Sequence, residues 1–478
     1  MLVEPRRMDG NPQSLRILQV STADRGGGAE RSAWQLFEAY RARRITSWLA
    51  VGHRFSDDPD VIVIPNEEHR SRWVRFWRSL PTTSVGGVPP GIPWRLRKLA
   101  WLGELRRYTN ILRGIEDLDY PGTWHLLRLC PAVPSVVHCH NLHGNYFDLR
   151  ALPALSQVVP VILNVRDSWL LTGHCACPSS CERWRSGCGE CPDLSLYPSV
   201  GRDNTAGNWK RKRSIYEKSR FYVTTASRWM MSRVEESMLA PAAKRVIPNG
   251  IDVSVFRSGD RSSARELLKL PLRDHIVLFV IHSSFRDYQT ARETISGLCA
   301  QHPDGIKIII VGWSGNAPLF ADHRVTHVEF VRSPETMARY YQAADIYVHA
   351  ARYEPFGNTV TEAMACGIPV VATAVGGISE QVEDGVTGFL VPGRDSAAIV
   401  KAVGMLLASR ELRSRMGTSA SAHVRRAFSL DRQVESFIGW YREVIADWQQ
   451  WKASDAATSP DPASTVPVQG GGSSDIID

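Results

Sequence analysis

RYEPFGNTVTEAMACGIPVVATAVGGISE, running from Arg352 to Glu380, decides the fold. A short apolar run of strand type, Ile346 to Ala350, precedes it. Glu354-Pro355-Phe356-Gly357 predicts a tight turn, and Asn358 to Cys366 a short helix opened by Asn or Thr, both good N-cap residues. Gly367 and Pro369 stop that helix. Ile368 to Val375 reads as a second buried strand, and Gly376-Gly377 as a turn into a further helix. Strand, loop, helix, strand, loop, helix is the grammar of a doubly wound parallel sheet, whose ligands bind beyond the carboxyl ends of the strands. The helix N-terminus offers unpaired N–H groups and a positive dipole end, which suit a phosphate. Gly357, Gly376 and Gly377 let backbone approach a ligand. Seven residues separate Glu354 from Glu362, one in the loop and one on the second helical turn. Carboxylates there can accept hydrogen bonds from sugar hydroxyls. Either glutamate alone reads as a helix cap or a solvated side chain; the spacing and the two glycine loops together favour a site.

The segment resembles the donor-site motif of retaining GT-B glycosyltransferases, glycosyltransferase family 4 or "glycosyl transferases group 1". The resemblance implies that Glu354 binds hydroxyls of the donor sugar and Glu362 the ribose of the nucleotide. It assigns the diphosphate to the backbone amides of Phe356, Gly357, Asn358 and Thr359. The implied fold class is α/β of the GT-B type: two Rossmann-like doubly wound domains facing a central cleft.

Two domains also suit the 478 residues, and 43% hydrophobic and 22% charged residues describe an ordinary globular chain. No apolar run reaches the roughly 18 residues that span a membrane. MLVEPRRMDGNPQS lacks an apolar signal region, so the cytoplasm is the expected compartment. Much of the formal charge of +8 is local: residues 70–107 hold nine Lys or Arg and one acid, Glu104, with Trp73, Trp77, Trp94 and Trp101 among them. Such a region suits peripheral contact with an anionic membrane surface, or forms ordinary helices with Trp inward and Arg outward.

From the N-terminus, residues 1–13 are expected to be flexible. A domain of 14–245 follows, then a second of 246–430, a helix of 431–452 and a disordered tail of 453–478 rich in Ser, Pro, Gly and Asp. Leu15 to Ser21 reads as the first strand, and Ala29 to Arg43 as an amphipathic helix after a glycine loop. Further strands are expected at Thr46 to Val51, Val61 to Ile64, Ser135 to His140, Val159 to Val165 and Phe221 to Ala226. By resemblance, Gly26, Gly27 and Gly28 face the donor phosphate and the acceptor across the cleft, 246–430 binds the nucleotide sugar, and 431–452 crosses back to the first domain.

His138, His140 and His143 gather at one strand end as hydrogen-bonded loop histidines, with His140 the site candidate because the family's cleft borders this strand. Relatives usually carry His-Asp where this chain has Arg166-Asp167. Arg is no base at neutral pH, yet it stabilises phosphate or carboxylate. Cys175, Cys177, Cys181, Cys188 and Cys191 crowd a loop of 174–192. Cys175, Cys181, Cys188 and Cys191 are spaced to hold a structural zinc, with buried reduced thiols as the alternative. In the second domain, relatives have Gly-Arg and a following Lys to neutralise the diphosphate. Here His282 and Arg286 are the replacements.

The reading is thus transfer of a sugar from a nucleotide-diphosphate donor to a saccharide or lipid-linked acceptor hydroxyl, with retention and without a catalytic metal or other cofactor. Glu354, Arg286 and Arg166 are the candidate catalytic residues. Exopolysaccharide, lipopolysaccharide or glycolipid assembly follows by family association. A GT-B pseudoenzyme is the alternative, motivated by Arg166 and the missing Gly-Arg. A zinc-containing nucleic-acid binder, motivated by the pI near 9.0 and the cysteines, is weaker, and nucleic acid is not expected as a partner.

Overall fold

The structure is a computed structural model, and its described residues are 15–79, 98–281, 287–312 and 320–458. Arg286 and His282 lie outside them, as do residues 1–13, Trp94 and the tail from 459 onward.

Seven strands form the first sheet: β1 (Arg16–Ala23), β2 (Thr46–His53), β3 (Val61–Val63), β4 (Val136–Cys139), β5 (Val161–Val165), β6 (Phe221–Thr225) and β7 (Lys244–Val246). Their order is β3-β2-β1-β4-β5-β6-β7. Six form the second: β8 (His275–Val280), β9 (Ile306–Val311), β10 (Val325–Val328), β11 (Ile346–His349), β12 (Val370–Thr373) and β13 (Gly388–Val391), ordered β10-β9-β8-β11-β12-β13. Every pairing within the sheets is parallel. Both faces of a parallel sheet are covered by helices, so its strands are continuous apolar runs such as IKIIIV.

The helices of the first half are α1 (Gly28–Ala42), α2 (Arg72–Ser79), α3 (Leu105–Leu112), α4 (Leu152–Val158), α5 (Thr205–Glu217) and α6 (Arg228–Glu235). Those of the second are α7 (Arg261–Leu267), α8 (Tyr288–Gln301), α9 (Pro334–Ala343), α10 (Asn358–Ala365), α11 (Ser396–Ala408) and α12 (Arg410–Ala427), followed by α13 (Leu430–Thr458). In each sheet the strand order reverses once, between β1 and β4 and between β8 and β11. Loops leaving neighbouring strands diverge at those points and open a crevice.

Side chains alternate across the first sheet. Leu18, Val20, Val137 and Leu163 enter one core, while Ile17, Val136, Ile162 and Tyr222 enter another. The second core is closed by α13 through Val434, Phe437, Trp440, Tyr441 and Val444. Trp448 Nε1 donates to the Ser156 carbonyl at 2.8 Å, and Tyr441 and Tyr40 share a hydroxyl hydrogen bond of 3.0 Å. The last helix therefore lies on the first sheet.

Two expectations change. The sequence places a disordered tail from residue 453, but α13 continues to Thr458. Ala453, Ala456 and Ala457 are strong helix formers, and extending an anchored helix costs little. Gly376-Gly377 opens only a five-residue 3-10 turn, Gly376–Glu380, instead of a longer helix. These glycines also meet backbone where a ligand was expected. A Cβ on Gly376 would stand 2.0 Å from the Glu354 carbonyl oxygen, and one on Gly377 would stand 2.4 Å from that of Pro355. The second glycine loop thus clamps the Glu354 loop.

Phe437 is fully buried against the first sheet. Phe437→Ala is expected to lower the urea-unfolding stability of this domain by about 3–5 kcal/mol. A loss below about 1 kcal/mol would show that α13 is not part of this core.

Candidate functional site

A cavity of about 290 Å³ lies where the carboxyl ends of the two sheets meet. From the first sheet it is lined by Gly27 to Arg31, Asn141, His143, Arg166, Asp167 and Tyr197, and from the second by Glu354 to Thr359, Tyr341 and Glu362. A Cβ on Gly28 would stand 3.5 Å from Asn358 Nδ2, so the glycine loop and the start of α10 face each other.

Ser227, Asp260, Asp287, Ser333, Asp395 and Ser409 cap α6, α7, α8, α9, α11 and α12 by accepting a backbone N–H. α1 and α10 start at glycines, Gly27 and Gly357, and have no side-chain cap, a lack they share with α3, α4 and α5. Gly357 has φ +70°, the left-handed region that glycine tolerates best. Two uncapped helix N-termini at one cavity offer N–H donors and positive dipole ends to an anion.

Both oxygens of Glu362 are engaged. Arg31 of α1 donates to Oε1 at 3.0 Å from across the cleft, and the buried Tyr341 hydroxyl donates to Oε2 at 3.0 Å. Glu354 is buried, with Oε2 3.5 Å from His349 Nε2. His349 Nδ1 meets the Tyr347 hydroxyl at 2.9 Å, and that hydroxyl reaches Thr359 Oγ1 at 2.9 Å. The Phe356 ring packs into the core of the second domain against Phe428.

Arg166 is half-buried, and its partial removal from water pulls its guanidinium down to about 10. Its nitrogens donate to Asn249 Oδ1 (3.2 Å), Ser32 Oγ (3.1 Å) and His140 Nδ1 (3.2 Å), and Asn249 Nδ2 donates to Asn358 Oδ1 at 2.9 Å. Arg166 thereby steadies the start of α10 as well as lining the cavity. His140 and Gly26 do not line it. His140 is buried against Gln19 and Arg166, and burial drops its pKa well below the usual value, leaving the ring neutral.

The histidine that does reach the cavity is His143. Its Nε2 lies 2.7 Å from Asp167 Oδ2 and its Nδ1 3.3 Å from the Tyr197 hydroxyl. Burial opposes charge on this ring and Lys212 repels it, but Asp167 and Glu30 outweigh them and raise its pKa. The loop after Asp167 is held by Lys212, whose buried ammonium donates to the carbonyls of Trp169 (2.9 Å) and Thr172 (3.2 Å) and pairs with Glu116.

Among the described residues, no three His, Cys, Asp or Glu side chains group so as to hold a metal ion. The zinc expectation at Cys175, Cys181, Cys188 and Cys191 therefore finds no preformed ligand set. All are free thiols. Cys191 Sγ lies 3.3 Å from His174 Nε2, and Cys188 Sγ accepts from the Gly173 N–H at 3.2 Å. Burial pushes Cys175 up to about 12 and Cys188 to about 11, which favours protonated thiols.

Arg31, Tyr197, Asn249 and Tyr341 are not singled out by the sequence, and His143 is named there only as one of three loop histidines. Arg31 carries a local signal, one turn into the helix after the glycine loop. Tyr341 and Asn249 carry none, because their partners are 21 and 109 residues away.

Residues 261–423 match the family Glycosyl transferases group 1. The second half of the chain carries a group 1 domain. The D-inositol 3-phosphate glycosyltransferase of Acidothermus cellulolyticus is 33% identical over 223 residues, 43% of this chain and 49% of that one. The protein of the same name from Mycobacterium avium is 36% identical over 222 residues, 44% and 51% of the two chains. The chain thus spans about half the length of the curated relatives it matches. In fold, it resembles the sucrose-phosphate synthase of Thermosynechococcus elongatus, with TM-score 0.59 and 21% identity over 91% of this chain and 100% of that one. It also resembles Anabaena HepE in complex with UDP, with TM-score 0.58 and 17% identity over 90% and 100%. These likenesses establish the GT-B architecture around the group 1 domain.

Because the folded pKa of His143 is raised, its pairing with Asp167 adds stability that is fully present below the unfolded histidine value of about 6.5. That stability is lost as pH rises through the folded value. The melting temperature of His143→Asn should therefore fall further below wild type at pH 6 than at pH 9, by about 2–4 °C per kcal/mol. A gap that does not change with pH would contradict the ion pair.

Proposed function

We propose that the protein is a retaining glycosyltransferase that moves a sugar from a nucleotide-diphosphate donor to an acceptor hydroxyl. The observation that carries this reading is the opposition of two uncapped helix N-termini across one cavity that also holds Glu354 and Glu362. The donor diphosphate would lie between Gly27-Gly28 and the first turn of α10. Glu362 would take the ribose hydroxyls in place of Arg31, keeping its bond from Tyr341. Glu354, backed by His349, would hold sugar hydroxyls.

Breaking the glycosidic bond gives the sugar oxocarbenium character and builds negative charge on the departing diphosphate. The α10 N-terminus, already oriented by Arg166, Asn249 and Asn358, would stabilise that charge without reorganising. Arg31, on release from Glu362, stands beside the same phosphates, and Arg286 is proposed to add a second cation. Attack by the acceptor on the face the diphosphate leaves, with a donor phosphate oxygen taking the hydroxyl proton, gives retention without a protein nucleophile or a catalytic metal. The cytoplasm is the proposed compartment, with a saccharide or lipid-linked acceptor and a role in surface polysaccharide or glycolipid assembly. Among the described residues no helix is long and apolar enough to cross a membrane.

A thermal-shift screen of wild type and Glu362→Ala against UDP-, GDP-, ADP- and dTDP-sugars tests this reading. One donor should stabilise wild type, by about 2.7 kcal/mol at a hundredfold excess over its Kd, and should lose most of that effect in the variant. If no donor stabilises wild type, or the variant responds equally, the donor site is misplaced.

A further inference from the structure

The segment between β3 and β4 departs from the packing of the rest of the first domain. None of the eight residues of α3 is buried. Leu105, Tyr108 and Leu112 share one helical face and are 56%, 38% and 57% exposed. Leu102 stands one turn before them, in the 3-10 turn Lys98–Glu104, at 58%. Trp73 and Phe76 of α2 are 46% and 60% exposed, and α2 is tied to the same turn by Trp73 Nε1 donating to the Leu99 carbonyl at 2.8 Å. Six of the seventeen exposed large hydrophobic side chains of the described residues thus fall within residues 72–112. An amphipathic helix ordinarily turns such a stripe to a core; here it faces outward.

Cations outnumber acids around the stripe, although Glu67 and Glu68 are exposed just before α2 and Glu67 pairs with Arg78. Residues 70–107 carry nine Lys or Arg against one acid, a net +8, and the whole chain is also +8, so the remainder is neutral. The single acid, Glu104, is turned inward and shared by Arg70, Arg78 and Arg107. Arg72, Arg75, Lys98, Arg106 and Arg113 are exposed. Apolar side chains beside exposed cations match the chemistry of an anionic bilayer surface, where acyl chains take the former and headgroups the latter. Nucleic acid would satisfy the cations and leave the stripe in water.

We infer that the outward face of α2, the Lys98–Glu104 turn and α3 seats the protein on an anionic lipid surface. The same elements wall a second cavity of about 580 Å³, through Arg78, Trp101 and Ile111, and His143 lines both this cavity and the donor cleft. The path from the lipid-facing elements to the cleft therefore suits an acceptor saccharide carried on a lipid. That consequence rests on the transferase reading; the lipid contact does not.

The test is flotation of the full-length protein with vesicles of phosphatidylcholine alone or mixed with phosphatidylglycerol. Wild type is expected to float only with the anionic vesicles and to be released by high salt. The double variants Leu105→Ser with Leu112→Ser and Arg106→Glu with Arg113→Glu, all at exposed positions, should each weaken binding about tenfold or more. Their melting temperatures and donor-induced thermal shifts should stay at wild-type values, which separates lost lipid contact from misfolding. Failure of wild type to float with anionic vesicles, or unchanged flotation of both variants, overturns the inference. So does gel filtration showing a wild-type oligomer that only the serine variant dissolves, since the face would then join two copies of the chain. Lipid binding without any donor shift would leave the inference standing and remove the transferase reading.

Discussion

Two helix N-termini meet across the cleft, neither closed by a side-chain cap, with Glu30 in the first turn of α1. Like dipole ends repel, so this arrangement needs negative charge between them. The chain supplies part of it through Glu30, Glu354 and Glu362 on the cavity wall, and pairs Glu362 with Arg31 across the gap. The glycines, the buried carboxylates and the cross-cleft ion pair follow from that constraint.

Maintaining the opposition requires rigid supports on both sides. In the second domain, the Gly376–Glu380 turn presses against the Glu354–Pro355 backbone, and the Gly377 N–H donates to the Glu354 carbonyl at 2.9 Å. The same turn reaches the first domain, where the Glu380 carboxylate accepts the N–H groups of Arg228 and Trp229 at the start of α6. Ser227 Oγ donates to the Pro355 carbonyl at 2.7 Å, and Ser168 and Tyr353 share a hydroxyl hydrogen bond. The Glu354–Pro355 loop is therefore braced by both domains.

A buried polar network runs from α13 toward the site. The Tyr441 hydroxyl meets His138 Nδ1 at 2.7 Å, and His138 Nε2 lies 3.3 Å from Asn164 Nδ2. Beside it, His140 connects to Arg166, and Arg166 connects through Asn249 to Asn358. Buried polar groups that satisfy one another hold a single geometry. Here that geometry relates the last helix, the first sheet and the first turn of α10.

The local pattern of residues was sufficient for the α/β class, most strands and the position of the Glu354 loop at a strand end, because each depends on short-range rules. Parallel strands buried on both faces are continuous apolar runs, and glycines and prolines mark where they end. Glu354, Glu362 and Gly27-Gly28 were legible for the same reason: loops at strand ends follow from strand order. The partners of those residues were not. Arg31 meets Glu362 across 331 positions, and Tyr40 meets Tyr441 across 401. The first pair forms only when two domains close on one cleft, the second only when the last helix packs on the first sheet, and no local spacing encodes either. The choice between His140 and His143 was likewise tertiary. Both follow the same strand, but one is sealed against Arg166 and Gln19 while the other is drawn to Asp167 on the cleft wall. Whether Leu105, Tyr108 and Leu112 face a core or the outside was also left to the tertiary structure, since a helical stripe specifies a face and packing specifies what covers it.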